Sequence, residues 1–258
     1  MDPSDYLAAC AAAFAGGIMN SLVGGGTLVT FPTLLALGVP PVAANVTNTV
    51  ALCPGYFSGA YAQRGALVGQ RARLHGLIVM SAIGGLTGAG LLVVTSDRVL
   101  TNLVPVLLGL ATLLLAASPR LKVAFGHTPT DDGVPVRDPR WLPFSVGLVA
   151  VYGGFFGAGI GVMLLAVLSI GIHQTLDRSN AVKQVLSLVI NLTAAMLFVL
   201  SGKVWWGLAG AMSVGAVLGG LLGGRLVGRL EPERFRVVVV AIGAVLTVIY
   251  AFRAWVPL

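Results

Sequence analysis

The stretch Gly24-Gly25-Gly26-Thr27, running on through Phe31-Pro32 to Asn45-Val46-Thr47-Asn48, has a second, altered copy in the same chain. That copy is Gly159-Ile160-Gly161, running on to Asn180-Ala181-Val182-Lys183. A gap-free offset of 135 residues places Gly24 on Gly159, Gly26 on Gly161, Asn45 on Asn180 and Asn48 on Lys183. Each copy reads as a glycine break, a short apolar run, a polar turn, and an Asn that opens a long apolar segment. Broken helices at matching positions of two halves are the sequence mark of a transporter binding site.

Composition sets the solvent. The chain has 258 residues, 57% of them hydrophobic and 10% charged, with mean hydropathy +0.93. A soluble domain carries about 25% charged residues, so the chain reads as a polytopic integral membrane protein. The formal charge of +7 comes from basic residues placed between apolar spans. It therefore reports topology and lipid headgroups rather than nucleic acid, which is not expected as a partner. Cys10 and Cys53 lie in apolar segments and form neither a disulfide framework nor a metal spacing. The start, Met1-Asp2-Pro3-Ser4-Asp5, lacks the basic flank of a signal peptide, so the first apolar run is expected to be a retained helix.

Taken in order, residues 6–22 approach the ~20 residues of a full span. The glycine triplet interrupts them, at roughly 1 kcal/mol per glycine in a helix. Residues 27–37 cover only about 16 Å as a helix and end at Gly38-Val39-Pro40-Pro41. Spans are expected at 44–62, kinked at Pro54-Gly55, and at 74–94 and 99–117. The polar stretch 118–140 reads as a cytoplasmic linker between a first transmembrane repeat, 1–117, and a second, 141–258. The second half repeats the scheme: 142–158, the break, a short run 162–170, a polar turn 173–179, and spans at 180–200, 207–224 and 237–255.

The basic residues choose the topology. If each broken unit is a hairpin that starts and ends on one side, the second half enters inverted. The Arg64–Arg73 loop, the linker, the turn with Arg178 and the Arg225–Arg236 loop then share a face. The other face gets the N-terminus, Asp97-Arg98, Lys203 and the tail with Arg253. That is a positive-inside bias, and it places both termini outside the cytoplasm. The expected fold is an all-α polytopic membrane protein of two inverted-topology repeats. Each repeat is a glycine-broken intramembrane helical hairpin plus three transmembrane helices.

These residues resemble the two signatures of the TauE/SafE sulfite exporter family. Gly24-Gly25-Gly26-Thr27, Pro32, Gly38-Val39-Pro40-Pro41 and Ala44-Asn45-Val46-Thr47-Asn48-Thr49 carry the first. Gly157-Ala158-Gly159-Ile160-Gly161 and Asn180-Ala181-Val182-Lys183-Gln184 carry the second. The second departs from the more usual Gly-Gly-Gly and Thr-Ser at Gly159-Ile160-Gly161 and Val182-Lys183. The resemblance covers nearly the whole chain. It implies a transporter of the bacterial inner membrane that exports sulfite or organosulfonates such as sulfoacetate by alternating access.

An anion carrier must replace hydration around an oxyanion without trapping it, and N–H groups at helix starts do this. Four such starts are expected: Gly26-Thr27, Thr47-Asn48, Gly161-Val162 and Asn180-Lys183. The candidate substrate-binding residues are therefore Gly24, Gly25, Gly26, Thr27, Asn45, Thr47, Asn48, Gly159, Gly161, Asn180, Lys183 and Gln184, with Asn191 further along the path. The glycines serve equally for helix packing, and Asn45 and Asn180 for N-capping. Lys183 stands in a segment otherwise free of charge from 181 to 200. An intramembrane ionisable residue points to function, against snorkelling to the interface. Asn20 and Ser21 are weaker candidates.

Every Asp and Glu falls in a terminus or loop, which argues against a carboxylate proton relay. A coupling proton could still travel on the anion or on Lys183. No metal-ligand cluster and no P-loop occur, so no cofactor is expected. The expected partners are a small anion and the lipid bilayer. The glycine-rich faces at 84–90 and 207–224 allow packing within the monomer or in a homodimer. The alternatives are a passive anion channel, a carrier of another small anion such as a carboxylate, and, on weaker grounds, an intramembrane enzyme.

Overall fold

A computed structural model describes residues 1–22, 24–125, 138–227 and 232–255. It is built from helices: α1 (Pro3–Leu22), α2 (Thr27–Ala36), α3 (Pro41–Ala62), a 3₁₀ turn (Arg64–Leu67), α4 (Arg71–Val93), α5 (Asp97–Phe125), α6 (Leu142–Phe155), α7 (Ile160–Gly171), α8 (Leu176–Leu200), α9 (Trp206–Leu226) and α10 (Pro232–Trp255). The middle of the expected linker, with His127, Asp131, Asp132 and Arg137, lies outside the described residues, as do Arg229, Glu231 and Leu258.

Local chemistry sets the breaks. Gly24 has φ +96° and its N–H reaches back to the Met19 carbonyl at 2.8 Å, closing α1. Gly159, its partner at the 135 offset, has φ +73° and starts α7. Only glycine adopts such angles without a steric penalty. α2 then runs for 10 residues, about 15 Å at 1.5 Å per residue. Pro41 at the first position of α3 suits a helix start, where its missing N–H costs nothing.

The halves match in register. α3, α4 and α5 begin at Pro41, Arg71 and Asp97, and α8, α9 and α10 begin 135 residues later in each case. They also match in packing. α1 lies along α9, and α6, its counterpart, lies along α4. α3 packs on α9 and α8 on α4, while α3 meets α8 and α5 meets α10. Each broken hairpin is thus held mainly by a long helix of the other half.

Among the described residues, four helices are long and apolar enough to cross a membrane: α4, α5, α8 and α9. α3 has the length, 22 residues, but carries Asn45, Thr47, Asn48 and Thr49. All four are buried, so α3 needs no apolar outer surface. The large exposed apolar side chains instead stud the outer helices, for example Ile83 and Leu91 on α4, Val106 and Leu113 on α5, and Val245 and Phe252 on α10. That belt faces lipid. The glycine-rich faces, by contrast, pack inside the chain. A Cβ on Gly84 would lie 2.5 Å from the Gly147 carbonyl of α6, and one on Gly223 2.8 Å from Ile18 Cα of α1.

Several boundaries differ from expectation. α3 begins at Pro41 rather than 44, and α8 at Leu176 rather than 180. The cap of α3 is Pro40, and that of α8 is Thr175, whose hydroxyl accepts from the Arg178 N–H at 3.4 Å. Asn45 and Asn180 are therefore not N-caps, and Thr47-Asn48 and Asn180-Lys183 are not helix starts. α3 runs unbroken through Pro54, and α5 continues to Phe125, past the expected linker start at 118.

Candidate functional site

The two glycine breaks meet. A Cβ on Gly161 would lie 2.5 Å from Gly24 Cα, and the Gly24 position is equally closed by Gly161 Cα. No side chain fits between them, so the starts of α2 and α7 come together from opposite halves. α5 backs both breaks: Leu115 lies 3.1 Å from a Cβ on Gly25, and Ala111 lies 3.2 Å from one on Gly159. Gly26 is pinned through its N–H, which donates to Asn20 Oδ1 at 2.8 Å. Thr27, the first residue of α2, is buried.

Ending a helix inside the protein leaves carbonyls that need donors. The two Asn residues supply them across the halves. Asn45 Nδ2 donates to the Phe155 carbonyl at the end of α6, at 2.7 Å. Asn180 Nδ2 donates to the Ser21 carbonyl near the end of α1, at 2.9 Å, and to Gln63 Oε1 at 2.8 Å. Lys183 acts on the same end of α1: its Nζ donates to the Asn20 carbonyl at 2.8 Å and to that of Ser21 at 3.4 Å. A cation is favoured at the negative end of a helix dipole. Lys183 is 0% exposed. Snorkelling is thereby excluded, because the ammonium is held in the protein interior by α1 carbonyls.

Around this crossing of α3 and α8 sit polar atoms with no hydrogen-bond partner among the described residues: Asn48 Oδ1, both amide atoms of Gln184, Ser187 Oγ, and the Oδ1 atoms of Asn45 and Asn180. Their residues are all buried. An orphaned buried polar group costs about 1–3 kcal/mol, so such a concentration is expected only where something else satisfies them. Gln184 fills the notch left by Gly59, whose missing Cβ would collide with the Gln184 amide. Asn191 donates to the Ser187 carbonyl at 2.8 Å, one turn back on α8.

Thr47 departs from the group. Its hydroxyl accepts from the Trp205 N–H at 3.0 Å, tying α3 to the α8–α9 loop. Ser187 and Gln63 were absent from the sequence candidates. Ser187 stands one turn from Lys183 and one from Asn191, a spacing that marks it as sharing their face. Gln63 carries no local signal, since only the packing of α3 against α8 brings it to Asn180. Ser21, a weaker candidate, lies where the halves meet: its carbonyl meets Asn180 and Lys183, and its hydroxyl donates to the Gly220 carbonyl at 3.1 Å.

A family model for the sulfite exporter TauE/SafE matches residues 9–250. The chain belongs to the TauE/SafE family. Among its relatives is the probable membrane transporter protein YfcA of Escherichia coli K12, 30% identical over 238 residues, or 90% of this chain and 84% of YfcA. The probable membrane transporter protein ORF9 of a Sinorhizobium species is 30% identical over 81% of this chain and 77% of its own length. A Haemophilus influenzae relative of the same description is 27% identical over 80% and 78%. With the apolar helices described above, this TauE/SafE chain is a multi-pass membrane transporter.

Proposed function

We propose that this chain is a secondary transporter that exports small sulfur-containing anions, sulfite or organosulfonates such as sulfoacetate, across the bacterial inner membrane by alternating access. The observation that carries the anion reading is Lys183. It is the one charged residue among the buried described residues, and no Asp or Glu joins it there. The starts of α2 and α7, each the positive end of a helix dipole, converge on the same region. Orphaned donors beside it, Gln184 Nε2 and Ser187 Oγ, match the needs of an oxyanion. The family description supplies the sulfur chemistry.

The architecture that fits this work is a pair of inverted repeats, each a broken hairpin plus three spanning helices. The paired packing under the 135-residue offset favours it. So does the shared cavity of Met1, Pro40 and Asp97, which puts both ends of the α1–α2 hairpin at one end of the bundle. At the other end Gly171 packs on Leu142 and Trp141, which does the same for α6–α7. In this arrangement both termini lie outside the cytoplasm. A reporter at Leu258 that scores cytoplasmic would remove it.

The test is transport by the purified protein in proteoliposomes, read as solid-supported-membrane currents. The panel is sulfite, thiosulfate, sulfoacetate, taurine, sulfate and chloride, with Lys183→Ala alongside. A saturable response to one sulfur oxyanion or sulfonate, lost in the variant, is the expected result. Silence across the panel from folded protein would remove the sulfur assignment, and currents without counterflow would replace the carrier by a channel.

A further inference from the structure

One end of the bundle opens into a cavity, and at the other hydrogen bonds link the helix ends among the described residues. At the open end lies a cavity of about 570 Å³, lined by Tyr6, Pro40, Val42, Asp97, Lys203 and Trp205 among others. At the opposite end Arg73 bonds Asp138, and its guanidinium also donates to Gln174 Oε1 at 3.0 Å. Gln174 Nε2 donates to Ser179 Oγ at 3.2 Å, and Arg178 to the Val68 carbonyl at 2.9 Å. These bonds join the 3₁₀ turn and α4 to the beginnings of α6 and α8.

Val42 and Ala43 line the cavity, and Asn45 and Asn48 of the polar centre follow on the next turns of the same helix. Between cavity and centre runs the 201–205 loop, held down by the Trp205 N–H on the Thr47 hydroxyl. Lys203 hangs on that loop, exposed, with its Nζ 3.4 Å from the Val93 carbonyl at the end of α4. The other charge at the cavity, Asp97, is committed: its Oδ1 accepts from the Val42 N–H at 2.9 Å, at the positive start of α3. Lys203 is the basic side chain among the residues that line the cavity.

We propose that this cavity is the vestibule of the anion path on the face bearing the N-terminus. Lys203 is its capture residue, and the Trp205–Thr47 bond is the barrier between vestibule and centre. The ligand class is a small anion. A lipid phosphate would offer Lys203 the same chemistry, so the test separates the two. The inference rests on the anion-transport reading, but its readout needs no transport.

The experiment places a thiol at the cavity rim with Pro40→Cys, in a background of Cys10→Ala and Cys53→Ala. Pro40 is exposed and has ordinary extended backbone angles, φ −55° and ψ 147°. Modification rates are measured with an anionic and a neutral thiol reagent of similar size, with Lys203 intact or changed to Gln or Glu. Reversing one charge a few Å away changes an anion's local concentration about fivefold at physiological salt. The anionic rate should fall in the order Lys, Gln, Glu, by about fivefold in total, while the neutral rate stays level and so reports an intact fold. Equal anionic rates, or neutral rates that fall with them, would overturn the vestibule. The rates are taken in maltoside micelles and in phospholipid vesicles. A Lys203 effect confined to micelles would mean that a lipid phosphate fills the cavity in the membrane, and would also overturn it. Adding Thr47→Val should raise the anionic rate at an Asn48→Cys thiol, and an unchanged rate there would remove the barrier. A silent substrate panel with a clear Lys203 effect would leave the vestibule and remove only the sulfur reading.

Discussion

Asn45 and Asn180 occupy equivalent places and do the same work, whereas Asn48 and Lys183 occupy equivalent places and do different work. Each of the first pair donates to a carbonyl at the end of the other half's broken helix, at 2.7 and 2.9 Å. That is a requirement of the scaffold, because a helix that stops inside the protein must have its last carbonyls met in both halves. Of the second pair, Lys183 shares this duty, donating to the Asn20 and Ser21 carbonyls. Asn48 keeps an orphaned carbonyl oxygen, while Lys183 brings a fully buried cation to the end of α1. The halves are equal as architecture and unequal as chemistry. Symmetry builds the crossing, and its violation at one position gives the crossing a sign of charge.

The contact between the breaks offers the largest test. Gly24→Ala combines a strained φ with a collision against Gly161 Cα. Overpacking costs about 1–3 kcal/mol and a left-handed backbone about 1–2 kcal/mol more. We expect loss of most folded, monodisperse protein on size-exclusion chromatography. Gly159→Ala shares the strained φ but meets Ala111 at 3.2 Å, so it should yield folded protein with a lowered Tm.

Restoring symmetry with Lys183→Asn should come next. It removes the buried cation while keeping a donor, and anion affinity should fall at least tenfold, about 1.4 kcal/mol, in a tryptophan-fluorescence or calorimetric titration. Unchanged affinity would make Lys183 a structural partner of α1 alone.

The matched Asn pair gives a finer comparison. Asn180→Ala loses two bonds, leaving Gln63 Oε1 short of a donor and the Ser21 carbonyl with the longer bond from Lys183, whereas Asn45→Ala loses one. At about 1 kcal/mol per net hydrogen bond, we expect about 2 against 1 kcal/mol in reversible unfolding. Equal losses would mean that Lys183 already holds the end of α1.

Smallest is Ser187→Ala. The hydroxyl has no protein partner to lose, so stability should hold within about 0.5 kcal/mol, while the KM for the anion rises a few-fold. An unaltered KM would take Ser187 off the path.

Much of this was legible in the chain because membrane-spanning segments and breaks are local signals. Long apolar runs, Gly24 and Gly159 at the breaks, and proline after Gly38 placed most of the described helices to within a few residues, while α5 runs on to Phe125, past its expected end at 117. The misplaced starts have one cause. The polar residues at 45–49 and 180–184 would mark helix ends on a surface, but they lie inside α3 and α8, facing the other half. The candidacy of Lys183 could be read from its isolation in an apolar run. Its snorkelling alternative could be dropped only once its burial was known.

By itself the sequence determined the solvent, the helical class, the repeated pattern and the break positions, since each follows from composition or from spacing along the chain, and its motifs carried the resemblance to the family. Only the tertiary structure decided which groups meet. The closure of Gly24 on Gly161, Asn45 on α6, Asn180 and Lys183 on α1, and Gln63 on Asn180 all join residues more than a hundred positions apart. Such pairings are set by how the helices pack across the two halves. A donor and its carbonyl in different helices leave no shared local pattern by which either could announce the other.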